Sequence, residues 1–453
     1  MKIIDMDDIS KKRAFSISFE RDDGSVLLKV GASKIGVRKI YDQIGKEFPD
    51  RFRGGIIYSR EQFITNLKGM SEIISDHFAK HKVFWAVKSA PLKELAQAAV
   101  EAGVGFDVGS AEELSLAIEA GADGSDICHT APAKFDWDID AIVKHGCISI
   151  SDNLTELSLL DAKAGSAKKK IKVGIRINPA IKAETKASVS TGRMDCKFGI
   201  PEISDAYFER LKGFSNLDIC ILHMHIGHQI SNPANYEQAL ESMVDVYRKF
   251  VQHGFKIEMI DVGGGFPYNY FDNPTIDEGA DNYSFVNYVP YDLGTYISRM
   301  KAKLAKLLGD GIPTIAFEPG CLVTAGTAFA LGYVLNTKEY PNGLRWAMCS
   351  VSVNDLWSKL ELHNEYHDIH ILDKDTCEMI PTGVGSTLCF SGDILTPTGV
   401  AINLPKDVRR GDMLMFGNVG AYALLGSGNF HNMPRLPVFV IDENLKLHRA
   451  SRE

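Results

Sequence analysis

The feature that most constrains this chain is a rhythm between residues 83 and 317. Eight short apolar runs stand at 83–87, 104–108, 126–129, 147–150, 171–177, 218–224, 257–262 and 314–317. Between them lie stretches with helical spacing, among them 111–120, 138–145, 153–164, 234–253 and 293–308. Strands alternating with helices imply βαβ units and parallel pairing. Eight such units over about 235 residues match a (β/α)8 barrel, which usually takes about 250. A doubly wound open sheet is the rival arrangement. After residue 320 the texture changes. Apolar runs at 347–353, 369–372, 413–416 and 438–441 are separated by turn signals and read as strands. Residues 14–19 alternate like a half-buried strand, and 55–58 read as another. The expected division is an N-terminal segment at 1–54 that joins a β domain, a barrel at 55–318, and the C-terminal β domain at 319–453.

Composition narrows the class. A net charge of -8 with no block of Lys and Arg argues against nucleic acid as a partner. No apolar run approaches the ~18 residues of a membrane span. The N-terminus turns acidic at once and has no apolar signal region. The eight cysteines include no Cys-x-x-Cys pair, which points to a reducing compartment and no structural zinc. The expectation is a cytoplasmic enzyme without a bound metal.

Chemistry in such a barrel gathers at the C-terminal ends of the strands. The first run, Val83-Phe84-Trp85-Ala86-Val87, ends in Lys88. A lysine leaving an apolar strand is placed for desolvation and a lowered pKa, as imine formation requires. The second run ends in Asp107, with Ser110 and Glu113 after it. The fifth gives Arg176 and Asn178, and the sixth His223 and His225. The seventh ends in Asp261 before Gly263-Gly264-Gly265, and the eighth in Glu318-Pro319-Gly320. Each has a plain structural alternative. Asp107 and Glu113 could cap helices, Arg176 could be a barrel ion pair, the histidines could be packed core groups, and the glycines could serve only a turn. Together, an imine-capable lysine, a glycine loop with exposed N–H groups, a flat histidine and a carboxylate describe what pyridoxal phosphate needs. Glu318 is the candidate partner of the pyridine nitrogen.

These residues carry a family resemblance. Ala86-Val87-Lys88, Asp107-Val108-Gly109-Ser110-Ala111-Glu112-Glu113-Leu114, Arg176-Ile177-Asn178-Pro179, Lys197-Phe198-Gly199 and His223-Met224-His225-Ile226-Gly227 are part of it. Gly263-Gly264-Gly265-Phe266, Glu318-Pro319-Gly320, Leu388-Cys389-Phe390-Ser391-Gly392-Asp393 and Gly420-Ala421-Tyr422 complete it. From about residue 55 onward the chain resembles the pyridoxal-phosphate decarboxylases with the alanine-racemase-type barrel, most strongly the diaminopimelate branch. The resemblance implies a barrel joined to a β domain built from both chain ends. It implies that Lys88 forms the Schiff base, supported by Asp107 and Glu113, with Arg176 beside the cofactor and His225 stacked on its ring. It places Gly263, Gly264, Gly265 and Tyr422 at the phosphate and Glu318 at the pyridine nitrogen. It also implies a homodimer in which Cys389 of the second subunit handles the proton returned to Cα.

Four departures bear on the substrate. Cys321 stands where the diaminopimelate pattern has an arginine after Glu-Pro-Gly. His228 replaces a serine in the phosphate contact. Phe390 replaces the carboxylate that meets the substrate's far ammonium. Trp357-Ser358-Lys359-Leu360 stands where an arginine and a tyrosine flank the far carboxylate. A buried ammonium without a carboxylate costs several kcal/mol. The expected substrate is therefore an atypical amino acid or conjugate of a siderophore or antibiotic type of pathway. Phe390 and Asp393 are the candidate substrate contacts, and Asp393 could compensate for the missing acid. Three alternatives remain open at this level: an amino-acid racemase on the same barrel, a metal-dependent hydrolase using His223-x-His225, and a catalytically inactive binding protein.

Overall fold

The computed structural model describes residues 2–4, 9–185, 190–200, 203–271, 287–356, 365, 367–372, 374, 378–396, 399–425 and 430–450. Among the described residues, eight parallel strands close a barrel, so the rival open sheet is excluded. In chain order they are His81–Ala86, Gly105–Val108, Ile127–Thr130, Ile148–Ser151, Ile171–Arg176, Leu217–His223, Met259–Asp261 and Thr314–Phe317. The eighth strand returns to pair with the first, Phe317 opposite Val83. The strands are short and almost wholly buried, which is why they read as apolar runs with no alternation. Helices such as Arg60–Ser75, Ala234–Gln252 and Leu293–Leu308 wrap the outside and bury one face each.

The first strand stops one residue earlier than its apolar run. Val87–Ser89 forms a single 3-10 turn, and Lys88 projects from that turn. Ser110 caps Ala111–Glu119 by accepting from the Glu113 N–H at 3.2 Å, so the second strand is followed directly by a helix start.

The remaining strands form a ten-stranded mixed sheet and a three-stranded one. Ala328–Glu339 runs through the larger sheet, next to Gly55–Ser59, Arg345–Cys349 and Met413–Phe416. Lys2–Ile4 pairs with Val400–Pro405, which brings the two chain ends into one sheet. Two expectations need correction. Gly55–Ser59 belongs to this sheet, antiparallel to Ala328–Glu339 and parallel to Val438–Ile441, so the barrel begins only with the helix Arg60–Ser75. A run of five buried residues announces a central strand but not which sheet holds it. Residues 14–17 are not strand; Ser18–Asp22 is, after a left-handed Phe15 at φ 59°. No described helix is long and apolar enough to cross a membrane.

Candidate active site

The strand ends converge at one mouth of the barrel. Lys88 Nζ donates to Asp107 Oδ2 at 2.9 Å. Asp107 is 2% exposed at its side chain, whereas Lys88 is 50% exposed and opens onto the mouth. Desolvation alone pulls the ammonium down, as the sequence suggests. The Asp107 charge, with Tyr422 and Glu318 behind it, outweighs that effect, and the Lys88 pKa stands above the ordinary lysine value. The expectation of a lowered pKa is therefore reversed by the neighbouring acids. Asp107 itself is pushed up by burial and by Glu318, and its Oδ1 has no hydrogen-bond partner.

Glu113 turns out to do part of the plain structural work. Its Oε2 accepts from the Gly109 N–H at 2.8 Å and locks the turn before the capped helix. Arg176 is buried and lies over the Phe198 ring, 4.4 Å from its centroid. The long connection after the fifth strand thus folds back onto the site through Lys197-Phe198-Gly199. A parallel bridge between Ile177 and Ile200 fixes it there.

His223 ends the sixth strand, and its Nε2 meets Glu318 Oε2 at 3.2 Å with both side chains buried. His225 lies two residues on. Its Nδ1 accepts from the Gly264 N–H at 3.0 Å, which leaves the ring fixed edge-on to the glycine loop. Burial, with Arg176 and Lys88 adding, pushes the His225 pKa well down, so the ring is neutral. The two histidines face different partners and do not form the metal pair considered from the sequence.

The three glycines are needed first for packing. A Cβ on Gly264 would stand 2.1 Å from the Glu318 carbonyl oxygen, and one on Gly263 2.6 Å from His225 Nδ1. The loop is thereby threaded between the histidine and the glutamate. Two of its N–H groups are already used: Gly263 donates to Asp261 Oδ1 at 2.9 Å and Gly264 to His225. Of the three, the Gly265 N–H has no acceptor among the described residues.

The β domain contributes Tyr422. It has φ 61°, and its N–H donates to the Ser89 carbonyl at 2.7 Å, tying it to the turn that carries Lys88. Its ring meets His228 edge-on, with 5.4 Å between centroids. Cys321, at the start of the helix after Glu-Pro-Gly, meets the Tyr270 hydroxyl at 3.1 Å, and burial raises its thiol pKa. Nothing in the motif pattern pointed to Tyr270, and Phe198 stood in it only within Lys197-Phe198-Gly199, with no role given. Only the fold brings these loop aromatics to the strand ends.

Cys389, Phe390 and Asp393 are not part of this cluster. Cys389 is exposed in a turn after Met379–Gly385, and its N–H meets His431 Nε2 at 3.4 Å. Phe390 is 43% exposed and lies 6.2 Å from the Phe430 ring. Asp393 is buried, with its oxygens accepting from the Val353 and Leu388 N–H groups at 3.0 and 2.8 Å. It braces the Cys389 turn through both oxygens. The Trp357 to Leu360 stretch and most of the connection after Phe271 lie outside the described residues.

Comparison with known proteins then decides the family. The model described as "Pyridoxal-dependent decarboxylase, pyridoxal binding domain" matches residues 65–325, more than half of the chain. The chain belongs to the pyridoxal-dependent decarboxylases. It is similar to the diaminopimelate decarboxylase of Aquifex aeolicus, 27% identical over 387 residues that cover 84% of this chain and 86% of that protein. Its fold is similar to diaminopimelate decarboxylase from M. jannaschii in complex with L-lysine, at TM-score 0.80 and 21% identity over 96% and 95% of the two chains. A lysine/ornithine decarboxylase from Vibrio vulnificus complexed with putrescine gives TM-score 0.70 and 22% identity over 89% and 97%. As a pyridoxal-dependent decarboxylase the protein is a carboxy-lyase, and its cofactor is pyridoxal phosphate. The decarboxylase site fits that cofactor on its own geometry. A half-exposed lysine faces buried carboxylates whose oxygens Asp107 Oδ1 and Glu318 Oε1 have no protein partner.

Proposed function

We propose that this decarboxylase acts at the mouth around Lys88 on an amino acid other than diaminopimelate. One observation carries the decarboxylating assignment. Glu318 is buried and hydrogen-bonded by His223, and although burial pushes its carboxyl up, His223, Lys88 and His225 hold it down to about 2. A fixed anion at that depth suits a protonated ring nitrogen. Pyridoxal phosphate supplies an aldehyde for the substrate amine and a ring that accepts the electron pair left when the carboxylate bond breaks. The chain's own groups do the rest. Lys88 would hold the cofactor's aldehyde carbon, and Asp107 orients the Lys88 amine for it. His225 presents its ring face, and Arg176 lines the same wall. The Gly265 N–H, His228 and Tyr422 take the phosphate end. Cys389 of a second subunit returns a proton to Cα, which makes the active form a homodimer. The exposure of Cys389 supports that assignment.

The substrate reading rests on Phe390 and Cys321. Phe390 presents an apolar ring where a far ammonium needs an acid, and Cys321 gives a neutral thiol bound to Tyr270. An apolar or conjugated side chain suits this end, as in siderophore or antibiotic precursors made in the cytoplasm. The test is release of CO2 by the purified holoenzyme across a panel of amino acids. Turnover best with diaminopimelate would overturn the substrate reading. Racemisation without CO2 would overturn the decarboxylating one.

A further inference from the structure

His223, Asp261 and Glu318 come from the ends of three adjacent strands, with His223 and Asp261 in register on neighbouring strands. One ligating atom from each lies within 4.8 Å of the others, and all three side chains are buried. Two carboxylates at that separation in a barrel core cannot both be ionised at low cost. One proton therefore resides on the pair, and the surroundings decide where. Glu318 accepts from His223 Nε2 at 3.2 Å and is faced by the cations or dipoles of Lys88, His225 and Arg176. Asp261 accepts only from the neutral Gly263 N–H, through Oδ1 at 2.9 Å. The other titratable groups around it are the acids Glu318 and Asp107, the Cys128 thiol and, in register on the neighbouring strand, His223. Asp261 Oδ2, the oxygen that Gly263 does not use, has no hydrogen-bond partner.

We infer that Asp261 is a positioning residue that carries this proton as a neutral carboxylic acid and keeps Glu318 an anion. The two carboxyls then carry one negative charge between them and not two. The directions of the pKa shifts agree: burial and then Glu318 push Asp261 well up. The inference deepens the proposed function, because the role of Glu318 toward the ring nitrogen rests on that reading.

Infrared difference spectra of the apo-protein at pH 7 test it. The wild type should show the carbonyl band of a protonated carboxyl, and Asp261→Asn should lack it. In the holoenzyme, Asp261→Asn retains a neutral donor and the acceptor for Gly263. It should keep the cofactor's dissociation constant within about twofold and its absorbance–pH profile unshifted. Asp261→Ala should weaken binding by about tenfold or more. Persistence of the band in Asp261→Asn, or an Asn variant that behaves like Ala, would overturn the inference. The infrared result stands even where the alanine variant does not fold. Glu318→Gln separates the two readings. If it leaves the cofactor's absorbance–pH profile untouched while the Asp261 band is present, the ring-nitrogen role of Glu318 fails and the proton assignment survives.

Discussion

Replacing Asp107 by Asn probes the contact on which the lysine depends. The two groups are 2.9 Å apart, and an effective dielectric of 20 gives an attraction of about 6 kcal/mol at that distance. Lys88 is half exposed, so water screens much of this, and Glu318 and Tyr422 remain to hold the charge. The discounted loss is about 1.5 to 3 kcal/mol, the range of a hydrogen bond to a charged group. At 1.4 kcal/mol per tenfold, the fraction of free Lys88 amine at a given pH should rise by about tenfold to a hundredfold. The assay is the rate of acylation of Lys88 in the apo-protein across pH, read by peptide mass spectrometry against surface lysines. Circular dichroism confirms that the variant is folded. An unchanged Lys88 rate in a folded Asp107→Asn protein would refute the argument that Asp107 sets the charge on this amine.

Lys88→Ala should abolish both the cofactor's bound absorbance and turnover while leaving the thermal midpoint close to wild type; a variant with full activity would remove the site from the Lys88 mouth. Mixing Lys88→Ala with Cys389→Ala, each inactive, should restore about a quarter of wild-type activity if sites are shared across a two-fold axis. No restoration under exchange conditions would place both residues in one subunit. Gly264→Ala drives a Cβ to 2.1 Å from a backbone oxygen and should cost about 3 kcal/mol or more in urea unfolding, together with cofactor affinity. His129, buried, and His228, half-buried, are each pulled down to about 4, largely by desolvation. Unfolded, each takes a proton near pH 6.5, so the unfolded chain binds more protons below that value. Stability should fall as pH drops from about 6.5 towards 4, and His129→Gln should flatten that fall in the thermal midpoint.

Most of the barrel was legible because its strands are buried on both faces. Burial forces continuous apolar runs, and helices between them must show a 3.6-residue period to cover the sheet. Leu293–Leu308 and Thr314–Phe317 were therefore read to the residue. The β domain was less legible. Ala328–Glu339 is buried for its first half and exposed at its end, so it has no single pattern, and Gly55–Ser59 gave no sign of its partners. Pairing between segments hundreds of residues apart leaves no local signature.

The sequence alone determined which residue types stand at the strand ends: Lys88, Asp107, Arg176, His223, His225, the three glycines and Glu318. Chain order, the period of two helices per pair of strands and the rule that barrel chemistry gathers at one face were enough for that. Only the tertiary structure decided what each does there. It made Lys88 a charged partner of Asp107, gave two glycine N–H groups to Asp261 and His225, turned Asp393 inward, and set Asp261 beside Glu318. The physical reason is distance. Charge, hydrogen bonding and proton placement depend on separations of a few ångströms between residues that sequence spacing leaves unspecified.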